Sequence, residues 1–260
     1  MHERILAIPG AINLRDFGGY LTDDGRHVRM GQLFRSGALA HLDSEGQRAF
    51  ADLGIALICD LRRDEERHEE PTPTPLASSA GAPARLEIPI DPGSAIALRA
   101  GMVDDTLTAQ QRIDFMVQIN HELARDHAED YARMFEGLLA LEQGGFLVHC
   151  AAGKDRTGFA CALILHTLGV PEHRVMEDYL LTNTTMDYER FLLPKLRARY
   201  GEAIALDRES VMALAGVRPE YLRAAYAAIE ADFEGVEHYI EDAIGLDSAG
   251  RDRLRRRYLS

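Results

Sequence analysis

Cysteine is scarce in this chain of 260 residues: there are three, Cys59, Cys150 and Cys161. Their spacing gives neither a disulfide framework nor a zinc-binding pattern. They fit a reducing compartment, or one reactive thiol with two structural ones. Positive charge is also in short supply, with 29 Lys and Arg against 42 Asp and Glu and a net charge of −13. That balance excludes a nucleic-acid partner held by bulk electrostatics, because a phosphate backbone needs a basic face. A phosphate ligand would need its attraction built locally. No apolar run is long enough to span a bilayer; the longest, residues 159–170, is interrupted by His166 and Thr167. The start, Met1-His2-Glu3-Arg4, lacks a basic region leading into an apolar core, so no cleavable signal is read. The expected address is cytoplasmic, with export lacking a cleavable signal as the alternative. Repeats and low-complexity tracts are missing too, and nothing in the sequence sets the oligomeric state.

The segments that remain alternate between strand and helix patterns, which predicts an α/β fold with a central, mainly parallel sheet flanked by helices. Residues 10–35 carry the turn signals Gly18-Gly19 and Asp23-Asp24-Gly25, expected for a small N-terminal β-hairpin region. Ser44 to Leu53 reads as a short helix, with Gly54 placed as its C-cap. Ile55-Ala56-Leu57-Ile58-Cys59 reads as a strand buried on both faces, ending at Asp60. Leu86 to Ile90 is another strand candidate. In the segment 94–127, Thr108 and Gln111 resemble a capping box. Apolar residues fall on two sides of the predicted helix there. It is expected to be either a core helix with two contact surfaces or a mobile helical lid. Residues 128–143 predict an amphipathic helix, and Phe146-Leu147-Val148-His149 a second short buried strand. A nearly all-apolar helix spans Thr157 to Leu168.

Between that last strand and helix lies His149-Cys150-Ala151-Ala152-Gly153-Lys154-Asp155-Arg156-Thr157-Gly158. In an α/β sheet, ligands bind outside the carboxyl ends of the strands. Loop amides, with the free N–H groups of the helix start, form an anion site there. Gly153 permits a tight loop that aims the amides of Ala151, Ala152, Gly153 and Lys154 inward. Arg156 adds a planar fork matched to two phosphate oxygens. The same field favours the thiolate of Cys150, which could attack phosphorus and form a phosphocysteine. Thr157 is placed to hydrogen-bond the sulfur, and His149 to orient the loop through a backbone hydrogen bond. Asp155 is the nearest acid for the leaving group, with Asp91, Asp104, Asp105 and Asp114 as rivals. This chemistry calls for no metal and no cofactor.

The ten-residue run resembles the signature of cysteine-based tyrosine and dual-specificity phosphatases. Lys154-Asp155 is similar to the bacterial subgroup typified by mycobacterial protein tyrosine phosphatase B. The segments Asn13 to Tyr20, Phe34 to Gly37 and Asp60 to Arg62 resemble that subgroup's N-terminal motifs in the same order, and Gly245 to Leu259 resembles its C-terminal helix pair. The resemblance implies a single phosphatase domain over 1–260, with Cys150 as nucleophile, Arg156 as phosphate binder and Asp155 as general acid within the loop. It implies a helical lid, and a link between Lys154 and tolerance for inositol phosphates. Substrates expected from it are phosphotyrosine proteins, extending to phosphoserine, phosphothreonine and phosphoinositides. An inactive phosphate-binding module and, further off, a sulfurtransferase are the alternatives.

Other residues are expected to support the loop. Asp60 should pair with Arg156 or Lys154, and Arg15, Asp16 and Arg35 should form a buried ion-pair network. Cys161 reads as core packing. If the two buried strands are neighbours about 4.8 Å apart, Cys59 falls near the Cα separation of about 4.4–6.8 Å that a disulfide needs. Cys59 is then a candidate redox partner for Cys150, or else a small buried hydrophobe.

Overall fold

The apolar run at residues 55–59 forms a strand with no exposed side chain, and its neighbours follow the same logic. A computed structural model describes residues 4–77, 81–95, 107–188 and 208–260. Its sheet has the strands β1 (Arg15–Asp16), β2 (Leu33–Ser36), β3 (Ile55–Asp60), β4 (Ala84–Glu87) and β5 (Gly145–His149), in the spatial order β1-β2-β5-β3-β4. All neighbours are parallel except β1 and β2. The expected hairpin region is that antiparallel pair together with a turn closed by the Leu21–His27 bridge. The strand expected at 86–90 starts and ends earlier, because its ladder with β3 runs from Ala84 to Glu87.

Alternation along β5 explains the layers. Phe146 and Val148 enter one apolar cluster with Phe159, Leu163 and Tyr131, while Leu147 faces a second with Phe34, Phe50 and Ile58. Helix α1 (Ser44–Ala51) covers the second face. It is capped by the Asp43 carboxylate and followed by Gly54 at φ 64°. The first face carries α3 (Ala109–Asp126), α4 (Ala128–Ala140), α5 (Asp155–Thr167) and α8 (Pro219–Asp232). Between them in the chain lie α2 (Asp64–Glu69), α6 (Glu172–Leu180) and α7 (Arg208–Ala215), and α9 (Ser248–Tyr258) closes it. Among the described residues no helix is long and apolar enough to cross a membrane.

The capping box forms: Gln111 N–H donates to Thr108 Oγ1, and Thr108 N–H to Gln111 Oε1. Helix α3 packs against α7 and α8 and buries Ile113, Met116, Ile119, Asn120 and Leu123. The described part of the 94–127 segment is thus helical from Ala109 to Asp126, starting at the expected capping box. Residues 96–106 lie outside the described residues, as do Asp104 and Asp105.

Candidate active site

Cys150 follows the last residue of β5 and is 2% exposed, so the thiol sits at the carboxyl end of the central strand, ahead of α5. The loop between them is shaped from behind. Ala151 C=O accepts from Ala38 N–H at 2.9 Å, and Ala152 C=O from Asn13 Nδ2 at 3.3 Å. Gly153 C=O accepts from Asn13 Nδ2 at 2.8 Å and Arg35 Nη2 at 2.9 Å. A trans peptide directs its N–H opposite to its C=O, and no cis bond is present among the described residues. The amides of Ala152, Gly153 and Lys154 must therefore face away from this back wall, side by side. Successive amides turned one way make an anion-binding nest, here continued by the N-terminus of α5. Gly153 has φ 69°, and a Cβ there would lie 2.4 Å from Ser36 O, so only glycine fits.

Across the nest the Arg156 guanidinium is clamped. Nη1 and Nη2 donate to the two Glu66 carboxylate oxygens at 2.7 and 2.9 Å, and Nη1 also to Leu61 O at 3.2 Å and Ile90 O at 3.3 Å. Burial alone would lower the Arg156 pKa, but Cys150 and Glu66 raise it overall. Burial would likewise raise Glu66, yet the Arg156 fork brings it down to about 2. Both partners stay charged at every ordinary pH, and the fork is fixed in orientation before any ligand arrives.

Asp155 begins α5. Its Oδ2 lies 3.3 Å from Lys154 Nζ, and its Oδ1 accepts from Asn120 Nδ2 at 3.4 Å. Lys154 is 7% exposed and donates to the carbonyls of Leu214 and Gly216, the latter at 3.2 Å. Of the rival acids, Asp91 lies 3.6 Å from Arg63, and exposed Asp114 accepts from Gln110.

A buried thiol, an amide nest and a clamped guanidinium lie together at the carboxyl end of β5. A profile of the tyrosine phosphatase family matches residues 6–260. The chain belongs to the tyrosine phosphatase family. A putative tyrosine-protein phosphatase of Cupriavidus necator is 32% identical over 261 residues, covering 98% of this chain and 88% of that protein. The triple specificity protein phosphatase PtpB of Mycobacterium tuberculosis is 29% identical over 287 residues, covering 95% and 96%.

Several supports of the phosphatase loop differ from the sequence expectation. Asp60 does not reach Arg156 or Lys154. It accepts from Arg62 at 2.7 and 2.9 Å and from Arg85 at 3.0 Å, because the arginine after its own strand and the one on β4 are nearer. Burial would push Asp60 up, but His149 and the Arg62 fork hold it well below the usual carboxylate range. His149 Nε2 is 3.5 Å from Asp60, and its Nδ1 lies 3.3 Å from Cys150 O. Burial pushes this histidine down to about 4, so it is neutral at pH 7.

Arg15 and Arg35 do belong to a buried network, but its anion is Asp178 of α6 rather than Asp16. Arg35 Nη1 donates to Asp178 Oδ2 at 2.6 Å and Arg15 Nε to Oδ1 at 3.2 Å. Asp16 instead accepts from the backbone N–H groups of Gly18 and Gly31. Thr157 Oγ1 is buried and makes no hydrogen bond, so the expected bond to the Cys150 sulfur is not formed.

Cys59 is fully buried, and burial raises its pKa. The ladder places it opposite Val148, two residues short of Cys150. One strand spacing across and two residues along separate the two Cα atoms by about 8 Å. That is beyond what a disulfide bridges without backbone movement, so the redox pairing of Cys59 with Cys150 does not fit this register. Cys161 is fully buried, and burial pushes its thiol up to about 12.

Glu66 and Asp178 carry these supports without standing in any motif. Glu66 lies in the charged run Arg63-Asp64-Glu65-Glu66, which carries no local mark of its role. Asp178 left a signal: it occupies a place in the buried stripe Val175, Asp178, Tyr179, Thr182, where helical spacing calls for an uncharged residue.

Proposed function

We propose that this phosphatase hydrolyses phosphotyrosine through a phosphocysteine at Cys150, with Asp155 as the acid. The observation that carries the reading is the Arg156 fork, held by Glu66 across an amide nest that ends at the buried Cys150. In the first step the Cys150 thiolate forms the S–P bond as the P–O bond to the phenol breaks, and Asp155 passes its proton to the departing oxygen. Arg156 and the amides of Ala152, Gly153 and Lys154 neutralise charge on the equatorial oxygens. In the second step water attacks phosphorus, Asp155 takes back a proton, and the thiolate and inorganic phosphate are released.

Cys150→Ser should abolish turnover of p-nitrophenyl phosphate while the folded protein still binds vanadate or phosphate. Retained turnover in that variant would overturn the assignment of the nucleophile.

Similarity to a relative named for triple specificity supports a range wider than phosphotyrosine, which we extend to phosphoserine, phosphothreonine and phosphoinositides. Lys154 would serve a polyanionic head group by exchanging its bonds to the Leu214 and Gly216 carbonyls for the ligand. A selective loss of phosphoinositide turnover in Lys154→Ala supports this role. Equal losses on lipid and phosphopeptide make the lysine a general phosphate contact.

A further inference from the structure

Ile113, Met116, Asn120 and Leu123 follow one another at helical spacing, so they share one face of α3, and all four are buried. That spacing calls for an apolar residue at each of these places. Position 120 holds an amide instead, and it is fully buried. Asn120 Oδ1 makes no hydrogen bond among the described residues. A buried acceptor left unpaired costs stability. A leucine would fill similar space without that cost, so packing does not account for this side chain.

The nitrogen of the same amide reaches the phosphate loop. Asn120 Nδ2 donates to Met116 O at 2.9 Å, one turn back on its own helix. A carbonyl can only accept, so that contact fixes which end of the amide is nitrogen. Nδ2 also donates to Asp155 Oδ1 at 3.4 Å, across the packing of α3 on α5. Catalytic hydrogen bonds are often this long before substrate binds, and they tighten in the complex. The other carboxyl oxygen, Asp155 Oδ2, lies 3.3 Å from Lys154 Nζ. An oxygen that accepts an N–H is the carbonyl oxygen of the neutral acid, which leaves Oδ2 to carry the proton. Of the titratable groups described around this carboxyl, Lys154 and Arg156 are the charged ones. Tyr179, Tyr188 and Tyr221 are within electrostatic reach of it, and burial keeps them neutral at pH 7.

We propose that Asn120 is a positioning residue for the phosphatase reaction, holding Asp155 by Oδ1 so that Oδ2 is the oxygen that protonates the leaving group. The inference rests on the reading of Asp155 as the acid. Asn120→Leu removes the amide and keeps similar volume, and its test uses phenyl phosphate beside p-nitrophenyl phosphate. With phenyl phosphate, whose leaving group needs a proton, kcat/KM should fall about tenfold. With p-nitrophenyl phosphate it should stay within twofold of the parent, as should inhibition by inorganic phosphate, because the nest and the Arg156 fork are untouched. Asn120→Asp sets a second acid against Asp155 and should move the alkaline limb of the phenyl phosphate profile up by about one pH unit. That variant carries the test if the leucine variant does not fold. Adding Asn120→Leu to Asp155→Asn should cost no further activity, since both changes act through one group. Asp155→Asn alone separates the two readings. An equal loss on both substrates in that variant overturns the acid and the positioning role together. If its loss is confined to phenyl phosphate, the role of Asn120 alone is overturned by an unselective or absent loss in Asn120→Leu, or by an unmoved alkaline limb in Asn120→Asp.

Discussion

Replacing Glu66 with Gln tests whether the clamp on Arg156 contributes to turnover. The change keeps size and shape, but removes the charge that receives the guanidinium at 2.7 and 2.9 Å. An amide offers one neutral acceptor where there were two anionic ones. Nη1 keeps Leu61 O and Ile90 O, at 3.2 and 3.3 Å, so the side chain remains in place but its plane is no longer fixed from both ends. Hydrogen bonds to charged groups contribute about 1.5–3 kcal/mol each. A loss of about 2–3 kcal/mol of transition-state stabilisation then follows, roughly 30- to 150-fold in kcat/KM. Steady-state kinetics on p-nitrophenyl phosphate would read it, with phosphate inhibition measured in parallel. The ion pair is partly solvent-accessible, with side chains 15% and 17% exposed, so its effect on folding should be smaller than its effect on rate. A variant that keeps kcat/KM within twofold of the parent would refute the idea that Glu66 preorganises the phosphate-binding arginine.

Asp178→Asn should lower stability by about 3 kcal/mol, because it leaves two fully buried arginines facing a neutral amide; a thermal midpoint lower by roughly 6–12 °C would show it. Asp155→Asn should slow substrates with poor leaving groups by about 10²-fold or more while sparing activated aryl phosphates, and should remove the alkaline limb of the pH profile. Equal losses on both substrates would make Asp155 structural. His149 has its folded pKa depressed to about 4 by burial, so between about pH 4 and 6.5 the unfolded chain holds the extra proton and stability rises with pH. Denaturant titrations should show stability falling by at most about 3 kcal/mol from this group as pH drops through that window, and His149→Gln should flatten the slope by one proton.

What was legible in the sequence was contiguous. Cys150, Gly153 and Arg156 fall within seven residues, and their chemistry depends on a strand, a tight turn and a helix start that local pattern reveals. The buried strands were legible from apolar runs, since a parallel strand covered on both faces shows no alternation. Register was not legible. That β3 and β5 are buried strands follows from the pattern, but their adjacency and the position of Cys59 opposite Val148 are fixed by the fold, by strand order and by how the strands slide past one another. Partner choice among like charges was hidden for a similar reason. Asp16, Asp60 and Asp178 are equally acidic on paper, and only the fold brings Asp178 between Arg15 and Arg35.

The back wall of the phosphate loop makes the signature motif a poor unit of transplantation. Its carbonyls are held by Asn13, Arg35 and the Ala38 amide, more than a hundred residues earlier in the chain. Cys150 to Gly158 grafted onto another strand–helix junction would carry the thiol and the guanidinium fork. It would leave behind the donors that turn three peptide planes the same way. Drift in residues 13–38 can therefore erode the anion site while the signature itself stays intact, so a search for active relatives should weigh both segments.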